Sequence, residues 1–199
     1  MEPLSLSRSR RPGAADSDPL LVVWPEYPPA IGGMQVHGVE FARHLHRGGI
    51  PFAVVAPAPE GAGEAADAAE FDRIQGFAPR RVLRRGASLD DTLALLERTA
   101  RAARPRAVFC SQVALAPAFA RLGVPVVCRS AGNDLLRPWI GPCDLAYKLV
   151  RGLPYAEQRD RLRRNREWVC RASAHCDAVL CNSAWTRGAV REKLPDFAC

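Results

Sequence analysis

Lysine is nearly missing from this sequence. Lys148 and Lys193 are the only two, so a formal net charge of +7 rests almost wholly on arginine. No apolar stretch reaches the roughly 18–20 residues that a membrane-spanning helix needs. The opening segment, Met1 to Asp18, is rich in Ser, Arg and Pro and has no apolar centre, which excludes a secretory signal. It reads as a disordered leader, with a processed targeting peptide as the alternative. Cys-x-x-Cys pairs are absent, and the seven cysteines are odd in number and scattered. That excludes a disulfide framework and a cysteine-held zinc site. Cys110, Cys128 and Cys181 end apolar runs and read as buried thiols, so a reducing, cytosolic compartment is expected. The four histidines are too dispersed to nominate a metal site, and no Ser-His-Asp arrangement stands out. Neither G-x-x-x-x-G-K-[ST] nor G-x-G-x-x-G occurs, so P-loop and dinucleotide-binding readings lose ground. No metal and no cofactor is expected.

What is present is an alternation. The chain has 199 residues, enough for one well-buried domain. Short apolar runs predict strands at Leu20 to Trp24, Phe52 to Ala56, Arg81 to Leu83, Ala107 to Cys110, Val124 to Cys128 and Asp177 to Cys181. Helical periodicity predicts helices over Met34 to Arg47, Leu89 to Arg104, Val113 to Leu122, Ala156 to Ser173 and Ala184 to Leu194. Gly48-Gly49 and Ser88 supply a helix stop and a cap. Pro57 to Gly76 has weak periodicity and reads as a variable loop with a short helix at most. Arg129 to Pro154, punctuated by Gly and Pro, reads as a long loop. Strands alternating with helices imply a parallel α/β sheet covered on both faces. Ligands in such sheets bind beyond the carboxyl ends of the strands, which directs attention to Pro25 to Gly33, Ser111-Gln112, Arg129 to Asp134 and Asn182-Ser183.

The first of these segments ends in Gly32-Gly33 ahead of a helix. Two glycines there let backbone approach a ligand closely and leave N–H groups free at the positive end of the helix dipole, a natural seat for phosphate. A plain turn is the alternative. The fuller pattern is a strand, then Y-P-P-x-x-G-G-M-x-x-H-x-x-x-x-A-x-x-L-x-x-x-G, then a second strand. Tyr27, Pro28, Pro29, Gly32, Gly33, Met34, His37, Ala42, Leu45 and Gly49 carry it. This resembles the opening of family 4 GT-B glycosyltransferases. The last strand and helix, Asp177 to Arg187 with Ser183, Thr186 and Arg187, resemble the end of the same family's N-terminal half.

The resemblance implies a Rossmann-like, three-layer parallel sheet over residues 19–199, the N-terminal, acceptor-side half of a GT-B fold. It implies that Gly32 and Gly33 contact the phosphates of a nucleotide-diphosphate sugar, the donor substrate. His37, one turn into the helix, either faces the cleft or packs the helix. Where the family commonly reads H-G-x-D or R-G-x-D, this chain has Gly132 and Asp134 but Ala131 before the glycine, and Arg129 is the substitute basic residue two positions earlier. Asp134 is a candidate acceptor of hydrogen bonds from a sugar hydroxyl. Ser183 reads first as an N-cap and second as a binding residue. The family's second, donor-binding domain carries two glutamates eight residues apart, and no glutamates here have that spacing. The implied function is therefore the acceptor side of a hexosyl-type transferase, retaining and metal-independent, and incomplete alone: either a fragment or truncated gene product, or a chain that pairs with a separate donor-binding subunit. The alternative is a noncatalytic binding or scaffold subunit with the same fold.

One further segment stands out. Ala156 to Ser173 carries Arg159, Arg161, Arg163, Arg164, Arg166 and Arg171. A solvated face explains such a run; docking on an anionic membrane, at the inner face of the cytoplasmic membrane, is the alternative. Nucleic acid is disfavoured as a partner, because Trp168 is the lone aromatic among these arginines.

Overall fold

Strands covered by helices on both faces show as unbroken apolar runs rather than alternating ones, and Leu20–Val23 forms such a strand (β1), with Leu21, Val22 and Val23 fully buried. The computed structural model describes residues 18–29, 32–130 and 155–194. In chain order, β1 is followed by α1 (Gly33–Arg47), β2 (Phe52–Pro57), α2 (Ala62–Gln75), β3 (Arg80–Leu83), α3 (Leu89–Ala103) and β4 (Ala107–Cys110). Then come a 3-10 helix (Val113–Phe119), β5 (Val126–Ser130), α4 (Tyr155–Ser173), β6 (Ala178–Cys181) and α5 (Ala184–Lys193). The strands form one parallel sheet in the order β3-β2-β1-β4-β5-β6. This is the doubly wound order, which reverses direction between β1 and β4.

The chain divides into two compact units. The first runs to Ser111 and includes Ala118–Val126. In it β1 pairs with β2 from Leu20↔Phe52 to Val23↔Val55, and with β4 from Leu20↔Ala107 to Val23↔Cys110. An aromatic cluster lies beside this sheet: Phe41 stacks on Phe109 at 4.5 Å, and Trp24 on Phe109 at 6.1 Å. Each large apolar side chain buried in this way contributes about 1.5–3 kcal/mol. The second unit comprises Gln112–Pro117 and the chain from Val127. There β5 pairs with β6 from Val127↔Ala178 to Ser130↔Cys181. Val169 and Ala172 of α4 and Val190 of α5 are buried. The Trp168 indole N–H donates to the Ala114 carbonyl at 3.2 Å. Cys176 lies 3.3 Å from Cys128, sulfur to sulfur, and all five described cysteines are unbonded thiols. No helix among the described residues is long and apolar enough to cross a membrane.

Three sequence expectations need correction. The stretch read as a loop, Pro57 to Gly76, holds the 14-residue helix α2, ended by Gly76 in the left-handed conformation (φ 74°). Its periodicity is faint because its inward face is built from Ala68 and Phe71 while Ile74 points to solvent. The helix expected over Val113 to Leu122 is shorter, Val113–Phe119, and of the 3-10 kind, with Pro117 inside it; proline lacks the N–H that an α-helical turn would use there. The expected loop from Arg129 starts later, since Arg129 and Ser130 are the last two residues of β5.

Candidate functional site

The strand order reverses at β1 and β4, so the crevice at their carboxyl ends is where a ligand is expected. Ser111, following β4, donates its backbone N–H to the Val23 carbonyl at 3.0 Å and is buried. The other lip is formed by residues 24–29 and by Gly32 and Gly33. Three fixings hold it in place.

Trp24 is the first. It follows β1, is 1 % exposed, and donates its indole N–H to the Met34 carbonyl in the first turn of α1, at 3.0 Å. The six-membered and five-membered rings of the same indole lie against Gly38, where an added Cβ would stand 2.8–2.9 Å from Trp24 atoms. Glycine inside a helix costs about 1 kcal/mol against alanine, and here that cost secures the close approach of helix to strand end.

Arg81 of β3 is the second fixing. Its Nε and Nη2 donate to the two carboxylate oxygens of Asp72 on α2, at 2.9 and 2.7 Å, and its Nη1 donates to the Pro28 carbonyl at 2.7 Å. The side chains of Arg81 and Asp72 are only 10% and 14% exposed. A single guanidinium thus ties a strand, a helix and the Tyr-Pro-Pro loop together.

Tyr27 is the third. It is 2 % exposed, meets Phe71 edge-on at 6.3 Å, and lies 5.9 Å from the Arg81 guanidinium. Burial, and after it the charge of Asp72, push its phenol above the ordinary range, against the pull of Arg81 and Arg43. The hydroxyl has no hydrogen-bond partner among the described residues. The neutral phenol is therefore the form that fits. Its contribution to stability is intact below the ordinary tyrosine pKa of about 10 and is lost as pH rises beyond it toward the folded value.

With these fixings, Gly32 and Gly33 stand at the mouth of α1. No side chain caps the helix and no acidic residue occupies its first turn. Gly33 is exposed, and an added Cβ would meet nothing within 4 Å. At Gly32 an added Cβ would run into the Gln35 side chain. Backbone conformation does not demand glycine at either place. Gly32 is extended and Gly33 is helical, so what glycine supplies at Gly33 is open space at the positive end of the helix. Beside it a groove of about 360 Å³ is lined by Pro28, Pro29, Gly32, Val36, Val39 and Phe71, with Glu40 and Arg43 also on its wall.

Of the residues nominated from sequence, the first unit brings Gly32, Gly33 and His37 together at the start of α1, with His37 exposed. The second unit holds Arg129, half-buried within β5, and Ser183. Ser183 caps α5: its Oγ accepts from the Thr186 N–H at 3.0 Å and lies 2.9 Å from Thr186 Oγ1. Thr186 Oγ1 in turn donates to Asn182 Oδ1 at 2.8 Å, which leaves the Ser183 hydroxyl as donor to Thr186. Both its proton and a lone pair are engaged in the cap. Gly132 and Asp134 lie outside the described residues. Trp24, Gly38, Asp72 and Arg81 were not nominated. A glycine inside a helical pattern and an arginine sharing a strand face with Leu83 were the available signals.

The model of glycosyltransferase family 4 matches residues 31–196 of the chain. No curated protein matches it in a sequence search. Among solved structures it is similar to one from Listeria monocytogenes described as a UDP-N-acetylglucosamine 2-epimerase, with a TM-score of 0.55 and 13% identity over 89% of this chain. At that identity the likeness is one of fold. The chain spans 42% of the length of that structure.

Proposed function

The chain belongs to glycosyltransferase family 4, and from that premise we propose that it forms the acceptor side of a sugar transferase using a nucleotide-diphosphate sugar. The single observation that supports this most is the mouth of α1, without a side-chain cap or an acidic residue in its first turn, at the sheet's reversal point. Departure of a nucleoside diphosphate builds negative charge. Preorganised N–H groups at a helix start stabilise such charge without reorganising. In this reading Trp24 and Arg81 are positioning residues: one fixes the axis of α1, the other the loop that leads into it. The groove beside Gly32 offers one wall for the acceptor. Transfer further needs groups that hold the nucleotide, and we assign these to a donor-binding domain acting with this one.

The test is Gly33→Ala in the 199-residue chain. The new methyl enters open space, so the helix should hold or gain up to about 1 kcal/mol. Binding of inorganic pyrophosphate, followed by amide NMR shifts in α1, is expected to weaken about tenfold as the methyl blocks close approach. Equal affinity in both proteins would remove the phosphate reading of this helix.

The proposal extends to α4. Its arginines are exposed, and Arg159, Arg161 and Arg164 have no counter-charge among the described residues. Each such charge near an acidic bilayer is worth about 1 kcal/mol. We expect the chain to sediment with phosphatidylserine-containing vesicles but not with pure phosphatidylcholine, and the triple Arg→Gln variant to lose most of that binding. Equal sedimentation of the variant would rule out α4 as the contact.

A further inference from the structure

The strands β1, β2 and β3 run parallel, so the residues that follow them leave the sheet along one edge. Past β1 lie residues 24–29 and the mouth of α1. Past β2 and β3 opens a second, larger cavity of about 870 Å³, lined by Ala58, Val82, Arg84, Leu95 and Arg98 together with Arg81 and Arg85. The four arginines are not equivalent. Arg81 is neutralised by Asp72. Arg85 turns to Glu64, at 2.5 Å, and to Glu60, at 3.8 Å. Arg84 and Arg98 are exposed and have no hydrogen-bond or ion-pair partner among the described residues. The one acidic residue on the wall, Asp91, accepts a hydrogen bond from the Ser88 hydroxyl at 2.7 Å. Val82, Ala94 and Leu95 supply apolar surface.

Two uncompensated guanidiniums on one concavity raise its positive potential. Each presents a planar fork that matches phosphate oxygens, and two positive charges match the near-dianion of a phosphomonoester at neutral pH. We propose that this cavity seats a phosphomonoester carried by the sugar-accepting substrate, gripped by Arg84 and Arg98, with the apolar wall covering the carbon next to the phosphate. The assignment rests on the transferase reading above and adds the chemical class of the acceptor. It also separates two anion sites on one sheet edge: backbone N–H groups at α1 for the donor diphosphate, and arginine forks past β3 for the acceptor phosphate.

The probe is methyl phosphate, titrated into the full chain while the arginine Nε–H signals are followed by NMR, with acetate and chloride at matched ionic strength alongside. Saturable shifts of Arg84 and Arg98 with methyl phosphate, and none with acetate, are expected. Arg84→Gln and Arg98→Gln should each weaken binding about tenfold, as loss of one charge-assisted fork implies; Arg84→Lys should keep part of it. Arg47→Gln, in the exposed last turn of α1 and off the cavity wall, should change nothing. The proposal is overturned if methyl phosphate does not saturate, if acetate competes equally, or if the glutamine variants bind as the parent does. It is also overturned if Gly33→Ala, rather than the arginine variants, abolishes the shifts. Pyrophosphate binding at α1 should survive both glutamine substitutions, so failure of this site and failure of the donor-phosphate reading are told apart.

Discussion

Asp72→Ala is expected to destabilise the fold by about 2–3 kcal/mol, near the lower end of the cost of leaving one partner of a buried ion pair uncompensated, because this pair is part-buried. Arg81 is held by more than its carboxylate partner. Its side chain is 10% exposed, and its Nη1 is already committed to the Pro28 carbonyl at 2.7 Å. The cation would stay where it is without its bidentate partner. For a chain of this size each kcal/mol corresponds to about 2–4 °C of melting temperature, so thermal denaturation reads the effect directly. Replacing both partners by apolar residues of similar shape, Asp72→Leu with Arg81→Met, should recover most of the loss, because it removes the uncompensated charge as well as the pair. The recovered protein still lacks the bond to Pro28. It should therefore regain stability without regaining pyrophosphate affinity at α1, whereas a purely structural pair would restore both together. A loss below about 1 kcal/mol for Asp72→Ala would put the pair in the class of exposed salt bridges and remove Arg81 from the site's framework.

The parts of this fold that could be read in advance are those where one residue type answers to one environment. β1, β2 and β4 are runs of apolar residues because parallel strands between helices have no wet face. Ser88 and Ser183 cap helices as their positions suggested, each accepting from the N–H three residues on. What stayed hidden depends on pairing between elements. α2 shows little periodicity because its inward face is one alanine, Ala68, and Phe71, while Ile74 is exposed, and without α2 nothing in the sequence supplies a partner for Arg81. Arg81 then looks like one more member of an arginine-rich stretch. The glycines at 32 and 33 were conspicuous in the sequence, while the residue that fixes their position, Trp24, read only as the end of a strand. The glycines of the helix mouth are legible in sequence, and the side chains that hold them, Trp24 and Arg81, are not.

Gly38 supplies the sharpest contrast with Gly33. Both are helical residues of α1, and on helix propensity alone either change to alanine should stabilise by about 1 kcal/mol. The surroundings reverse the sign at only one of them. At Gly33 the new methyl meets nothing within 4 Å; at Gly38 it would stand 2.8 Å from Trp24 Cε2 and 2.9 Å from Cδ2 and Nε1. The indole is rigid, 1 % exposed, and backed by Phe109. Either the ring or the helix must move. Overpacking of this kind costs about 1–3 kcal/mol, and Gly38→Val, with two further carbons, belongs at or above the top of that range. The shift also strains the Trp24–Met34 hydrogen bond, so the first turn of α1 should lose its aim and pyrophosphate binding should fall with stability. Trp24→Leu removes Cε2 and Nε1 and leaves a branched chain that can turn away from the methyl. The double variant Gly38→Ala with Trp24→Leu is therefore expected to be about 1 kcal/mol more stable than the sum of its parts, a coupling measurable by urea denaturation of the four proteins in the cycle. Strict additivity would mean that the helix and the indole do not meet as described, and the positioning of α1 by Trp24 would fall with it.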